Sequence, residues 1–124
     1  FIDIVKIMNP NTLQDKTFKF SIKISYLTKY LVKNYKEFNI SNQLFRCGTS
    51  IGANVEEAIG GQSKKDFLSK ISIAYKEARE TKYWLRLLLE IYPELSEKLS
   101  LLLIDCEEIL KIAGKTISTI KAKG

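Results

Sequence analysis

The stretch FLSKISIAYKEARETKYWLRLLLEIY, from Phe67 to Tyr92, carries the strongest pattern in the sequence and decides the fold. Its apolar and small residues recur at spacings that alternate between four and three positions, which is typical of a helix with one buried stripe. The stripe comprises Phe67, Ile71, Ala74, Ala78, Thr81, Leu85, Leu88 and Tyr92. A pattern sustained over this length predicts a long helix within a helical bundle.

Weaker stripes of the same kind flank this segment and predict three further helices. The first contains Phe20, Ile24, Leu27 and Leu31, and the last contains Leu99, Leu103, Cys106, Leu110, Ala113, Ile117 and Ile120. Because the connecting segments are short, consecutive helices should run antiparallel. We therefore predict an all-α, antiparallel up-down-up-down four-helix bundle with helices over residues 15–38, 41–60, 63–92 and 95–121.

The ends of these helices carry local signals. Ser41 is the predicted N-cap of the second helix, and Ser63 begins a segment that resembles a capping box ahead of the third. Pro93 should end the third helix, because the residue before a proline is pushed out of the α region. We expect residues 15–124 to form one bundle domain. Residues 1–14 are expected to be an N-terminal arm that is either poorly ordered or foreign to the natural chain.

Positive charge is concentrated on the first helix. The net charge of the chain is +6, and no acidic residue falls between Asp15 and Glu37. The lysines in this interval lie opposite the apolar stripe and are Lys16, Lys19, Lys23, Lys29, Lys33 and Lys36. They form either a solvated helix face or a surface for the phosphates of RNA or DNA. We expect no compensating glutamate and no exposed aromatic residues among them, which predicts backbone contact with little reading of sequence.

The second helix combines small residues with a line of polar residues. The segment SIGANVEEA, Ser50 to Ala58, predicts a close approach of another helix at Gly52 and Ala53. The polar line comprises Arg46, Ser50, Asn54 and Glu57. It either forms structural hydrogen bonds within or between subunits, or belongs to a ligand-binding or catalytic site.

The third helix has more apolar surface than one stripe requires. Trp84, Leu87 and Ile91 form a second line beside the first. Either this helix is central in the bundle, or a second subunit covers the extra line. Together with Gly52 and Ala53, these three residues are the predicted oligomer interface.

The composition provides few groups for catalysis. The chain has no histidine, and its two cysteines, Cys47 and Cys106, are not spaced as metal ligands. They are expected to be buried reduced thiols, with a single buried disulfide as the alternative. We therefore predict no enzyme, no metal and no cofactor. No apolar run approaches the ~20 residues of a membrane span, so a cytoplasmic location is expected.

The segments NQLFRCGTSIGANVEEA and SKKDFLSKISIAYKEARETKYWLRLLLE resemble the four-helix-bundle proteins encoded by intervening sequences of bacterial 23S ribosomal RNA genes. The resemblance covers residues 16–121. Residues that match the family pattern are Gln43, Arg46, Ser50, Ile51, Ala53, Asn54, Glu57, Ser63, Phe67, Ile73, Ala74 and Glu77. The chain departs from it at Gly52, Glu56 and Ala58, where the family carries a proline, a small residue and a glycine.

The resemblance implies a homo-oligomer, a ring of five bundles, with no enzymatic activity. It also implies a relationship to the accessory variability protein of diversity-generating retroelements, a basic pentamer that engages nucleic acid and a reverse transcriptase. Our first hypothesis is therefore an oligomeric module that binds RNA or another nucleic acid through the lysines of the first helix. The alternative is a protein-interaction scaffold with no nucleic-acid role.

Overall fold

The structure, a computed structural model, describes residues 10–123, with side chains from residue 12 onward. The helices are α1 (Pro10–Tyr35), α2 (Asn39–Ile59), α3 (Lys64–Ile91) and α4 (Ser96–Lys123), and a 3-10 turn (Pro93–Leu95) precedes α4. Between residues 10 and 123 there is no β-strand. The predicted all-α four-helix bundle is confirmed.

Consecutive helices run antiparallel, as the contacts between them show. Along the α2–α3 pair, Arg46 meets Glu77, whereas Glu57, further along α2, meets Lys70. Each consecutive pair of helices packs extensively, and α1 closes the bundle against α4. The contact between α1 and α4 is the sparsest of these, so a groove opens between the first and last helices.

The first helix begins earlier than predicted. Residues 10–14, which the sequence placed in the arm, form the start of α1, and Pro10 suits the first turn because its missing N–H needs no partner there. Leu13 is only 2% exposed and joins the core. Residues 1–9 of the predicted arm lie outside the described residues. At its other end α1 stops at Tyr35, because Lys36 takes a left-handed conformation with φ of 56°.

One of the two predicted serine caps is correct. The Ser63 hydroxyl accepts a hydrogen bond from the Asp66 N–H at 3.0 Å and caps α3 as expected. The prediction for Ser41 was wrong, because this residue lies inside α2 and is buried on the core side. The start of α2 is instead stabilised by Glu37, whose carboxylate accepts from the Ile40 N–H at 3.2 Å.

The core confirms the stripe of α3 and corrects that of α4. Phe67 to Leu88 of the α3 stripe are buried, and Tyr92 is half-buried at its end. In α4, Leu99, Cys106 and Ala113 are buried as predicted, but the residues between them that face the core differ from the predicted ones. Leu102, Ile109 and Thr116 are buried, whereas the predicted Leu103, Leu110 and Ile117 are only half-buried. Apolar residues occupy most of both sets, so spacing alone did not distinguish them.

The two cysteines are separate buried thiols, as expected. Cys47 accepts a hydrogen bond from the Thr81 hydroxyl at 3.2 Å, and the Cys106 thiol donates to the Ala78 carbonyl at 3.3 Å. Burial raises the pKa of Cys47 to about 11 and that of Cys106 to about 12. Both therefore stay protonated at neutral pH and serve as small core residues.

Candidate nucleic-acid interface

The lysines of α1 divide into a paired and an unpaired group. Three of them form ion pairs, two with α4 and one within α1. The pairs are Lys16–Glu108, Lys19–Asp15 and Lys23–Asp105. The Lys23 pair is 2.8 Å long and the Lys19 pair 2.9 Å. The expectation of no compensating glutamate was wrong, because α4 supplies Glu108 to Lys16. Aspartates also compensate the first half of the helix: Asp105 of α4 pairs with Lys23, and Asp15 pairs with Lys19 one turn along α1.

The remaining lysines, Lys29, Lys33 and Lys36, are exposed at the C-terminal end of α1. Within the described part of the chain, none of the three forms an ion pair. Lys33 lies in the last turn of α1 and Lys36 directly after it, where the negative end of the helix dipole favours cations. We call these three residues the free lysine group.

Exposed aromatic rings lie among the lysines, contrary to the expectation from the sequence. Phe18 is 63% exposed, Tyr26 70% and Tyr30 36%. Lys19, Tyr26 and Lys33 are spaced by seven residues, and since seven residues make nearly two turns, the three lie along one line of the helix. The signal was present in the sequence, because positions 18, 22, 26 and 30 carry apolar or aromatic residues outside the core stripe.

A groove of about 520 Å³ lies between α1 and α4, next to this line. We call it the α1–α4 groove. Tyr26 and Tyr30 on one side and Leu101 on the other are among its mainly apolar lining residues. Lys98 also lines it, with Nζ 4.0 Å from the centre of the Tyr30 ring, and Lys23 lies near its other end. The groove therefore combines exposed rings with Lys98 and with the Lys23–Asp105 ion pair.

The polar line of α2 begins with an ion-pair network to α3. Arg46 donates to the Glu77 carboxylate at 3.0 Å and also pairs with Glu80. Glu80 in turn accepts from the Trp84 indole N–H at 3.1 Å. The hydrogen bond from Arg46, followed by that from Trp84, lowers the pKa of Glu80. Sequence reasoning missed these two glutamates as partners of Arg46, because the register of α2 against α3 is needed to find them.

The rest of the polar line has separate local partners. The Asn54 amide donates to the Ser50 carbonyl at 2.8 Å, and Glu57 pairs with Lys70 at 3.2 Å. These contacts fit the structural interpretation for Arg46, Asn54 and Glu57, whereas Ser50 takes part only through its backbone carbonyl. Among residues 12–123, no cluster of histidine, cysteine or acidic residues is arranged to hold a metal ion. The described helices also include none long and apolar enough to span a membrane.

Comparison with known proteins agrees with this arrangement of helices and motif residues. The family model of the 23S rRNA-intervening sequence protein matches residues 11–115. The chain belongs to this family. It is also similar to a crystal structure at 1.70 Å resolution of a protein with unknown function from the S23 ribosomal protein family of Bacteroides thetaiotaomicron VPI-5482. The two are 44% identical, with a TM-score of 0.82, over 85% of this chain and 97% of the other. No curated protein matches the chain.

In this member of the 23S rRNA-intervening sequence protein family, Gly52 packs inside the bundle. It is buried, and a Cβ atom there would lie 3.3 Å from the Thr17 carbonyl oxygen and 3.3 Å from the Ser21 hydroxyl of α1. The prediction that Gly52 lies in an interface between subunits was therefore wrong. The helix that approaches it belongs to the same chain.

The other interface candidates are at or near the surface of this family member. Ala53 is exposed, Trp84 and Leu87 are half-buried, and Ile91 is 46% exposed. Trp84 also packs against the core, so the second apolar line of α3 is partly covered within the chain. Ile91 and Leu87 therefore retain apolar surface that is accessible to solvent.

Proposed function

We propose that the protein is a non-enzymatic, oligomeric module that binds RNA or another nucleic acid through α1. The observation that carries the proposal is the free lysine group, Lys29, Lys33 and Lys36, which has no acidic partner among the described residues. Lysines that are not neutralised within the protein attract phosphates and release counterions on binding. The net charge of +6 adds long-range attraction.

The division of the lysines sets the expected salt dependence. Three unpaired lysines on one chain correspond to a log–log slope of about −2 for a single strand, whereas six would give about −4. The paired lysines add less, because each phosphate contact must compete with a carboxylate already in place. Exposed ion pairs are worth only about 0–1 kcal/mol, so this competition weakens the contribution of Lys19 and Lys23 without abolishing it.

Fluorescence anisotropy with a labelled RNA, measured over a series of KCl concentrations, tests the proposal. The variant Lys29→Ala/Lys33→Ala/Lys36→Ala should lose most of the affinity. A matched control, Lys111→Ala/Lys115→Ala/Lys121→Ala, removes the same charge from exposed positions of α4 and should lose much less. Equal losses would mean that only net charge matters, and no binding at low salt would refute the proposal.

Self-association is the second part of the proposal. It is supported by the exposed apolar surface around Ile91 on α3 and by the ring of five bundles that the family resemblance implies. Light scattering should give a multiple of the 14.2 kDa chain mass. Ile91→Lys should lower that mass, whereas Leu101→Lys, at a 61% exposed position on α4, should not. A monomeric wild-type protein at micromolar concentration would contradict this part.

A protein-interaction scaffold is the second candidate function. It is favoured by Leu101, which is 61% exposed and lines the α1–α4 groove, and by Ile104, which is 56% exposed three residues further along α4. The reverse-transcriptase-like protein implied by the resemblance is the class of partner to test first. Co-purification with wild type after nuclease treatment, together with its loss in Leu101→Lys, would support the scaffold over the nucleic-acid module.

A further inference from the structure

The ring of Tyr26 occupies an unusual position for an aromatic side chain. It is 70% exposed, the highest value among the exposed large apolar and aromatic residues, and no described residue contacts it by ring packing or a hydrogen bond. Burying a tyrosine ring is favourable, so an open ring leaves substantial free energy available for a partner.

Basic groups surround this ring. Lys19 and Lys33 lie on the same line of α1, each seven residues away, which places them about 10.5 Å from Tyr26 along the helix axis. Lys98 also lines the groove, and so does Lys23, which is paired with Asp105. A linear polyanion running along α1 would therefore meet a cation, an open ring and a second cation in turn. Because Lys19 and Lys33 are about 21 Å apart along the axis, a strand running along α1 would meet them with phosphates several nucleotides apart, on either side of the ring.

The exposed Tyr26 ring favours single-stranded over duplex nucleic acid. Proteins that bind single strands combine a basic surface for the backbone with aromatic side chains on which bases stack. In a duplex the faces of the bases are covered by their neighbours, so Tyr26 would find nothing to stack on. The α1–α4 groove beside the ring is mainly apolar and, at about 520 Å³, has room for an unpaired base.

We propose that this surface binds single-stranded nucleic acid in preference to duplex, with a base stacked on Tyr26 and with phosphates several nucleotides apart paired with Lys19 and Lys33. The inference rests on the proposed function and narrows it to one class of ligand. A purely electrostatic surface would prefer the duplex, because the charge density of a duplex is higher. The lysines alone would therefore not produce a preference for the single strand, whereas the ring would.

The test compares a labelled uridine oligonucleotide of about 20 nucleotides with an RNA duplex of the same length, at one salt concentration. Wild type should bind the single strand more tightly. Tyr26→Ala should weaken single-strand binding about tenfold or more and leave duplex binding unchanged. Tyr26→Phe retains the ring and should bind like wild type. The matched control is Phe45→Ala, which removes a 47% exposed ring from α2, where no basic residue lies three, four or seven positions away.

The outcomes separate this inference from the proposed function. If the duplex binds as tightly as the single strand and Tyr26→Ala has no effect, the stacking inference fails while nucleic-acid binding stands. If neither nucleic acid binds at low salt, the proposed function itself fails. If Tyr26→Ala lowers the particle mass in light scattering, a second copy of the chain covers the ring, and the inference is overturned.

Discussion

Adding a single methyl group at Gly48 tests how closely α1 and α2 pack. Gly48 lies on the buried side of α2, and a Cβ atom there would lie 2.9 Å from Cγ2 and 3.1 Å from Cγ1 of Ile24 on α1. The first distance is shorter than real Cβ contacts. Ile24 is fully buried, and its β-branched side chain has little freedom to rotate away. In Gly48→Ala the two helices must therefore move apart or strain the isoleucine.

Two opposing terms set the expected size of the effect. Alanine favours a helix over glycine by about 1 kcal/mol, which would stabilise the variant. Overpacking a filled core by one carbon costs about 1–3 kcal/mol. The second term should exceed the first, because the contact is with a stiff buried side chain. We expect a net loss of about 1 kcal/mol in the free energy of unfolding and a fall of roughly 4 °C in Tm.

Thermal unfolding followed by circular dichroism, at one fixed protein concentration, measures this change. Gly60→Ala is the matched control. A Cβ there would come no closer than 3.7 Å to Glu56 O, and φ is −81°, so alanine should stabilise by about 0.4–1 kcal/mol. In the double variant Ile24→Ala/Gly48→Ala, the cost of the added methyl group should disappear. If Gly48→Ala alone is as stable as the control, the packing argument is refuted.

Three further predictions concern single residues. Lys36→Gly should raise the free energy of unfolding by about 0.5–1 kcal/mol in urea denaturation, because glycine accepts the left-handed φ of 56° without strain. The pKa of Glu80 is lower in the folded protein than its ordinary value of 4.5, so its ionised carboxylate stabilises the fold at pH values above 4.5. This stabilisation is lost as the pH falls through the pKa of the folded state. In Arg46→Ala, the free energy of unfolding should therefore fall less between pH 7 and pH 2 than it does in wild type. Cys47 and Cys106 should resist iodoacetamide at pH 8 until the protein is denatured, because burial raises both pKa values.

The sequence predicted the buried face of a helix most accurately where its spacing pattern was compatible with one face. In α3, small and apolar residues follow one regular spacing from Phe67 to Leu88, and the buried face followed directly from that spacing despite the second apolar line. In α4, Leu102 and Leu103 are neighbours of equal size, and which of them faces inward depends on how α4 packs on α1 and α3. Ser41 shows the same limit, since a serine before a helical segment resembles a cap until the first turn is known to begin earlier.

The candidate site was predictable only in part, because its chemistry depends on pairs of residues from different helices. The lysines and the polar line were evident in the sequence, but their partners were not. Arg46 and Glu80 are separated by 34 residues, and Lys23 and Asp105 by 82. Contacts of this range follow from the register between helices, which no local pattern encodes. Gly52 was misassigned for the same reason, because a small residue indicates a close helix without saying which one.

The charged residues of α4 neutralise one end of α1 and leave the lysines at its other end unpaired, where a polyanion would meet uncompensated charge. Opposite the first half of α1, α4 presents acids, including Asp105, which neutralise the lysines there. Opposite the second half it presents Lys98, whose ammonium lies over the Tyr30 ring. The free lysine group and the open ring of Tyr26 therefore lie towards the same end of α1. A phosphate contact in the first half must displace a carboxylate, whereas a contact in the second half displaces only counterions and water. The second half of α1 should accordingly dominate both affinity and its salt dependence.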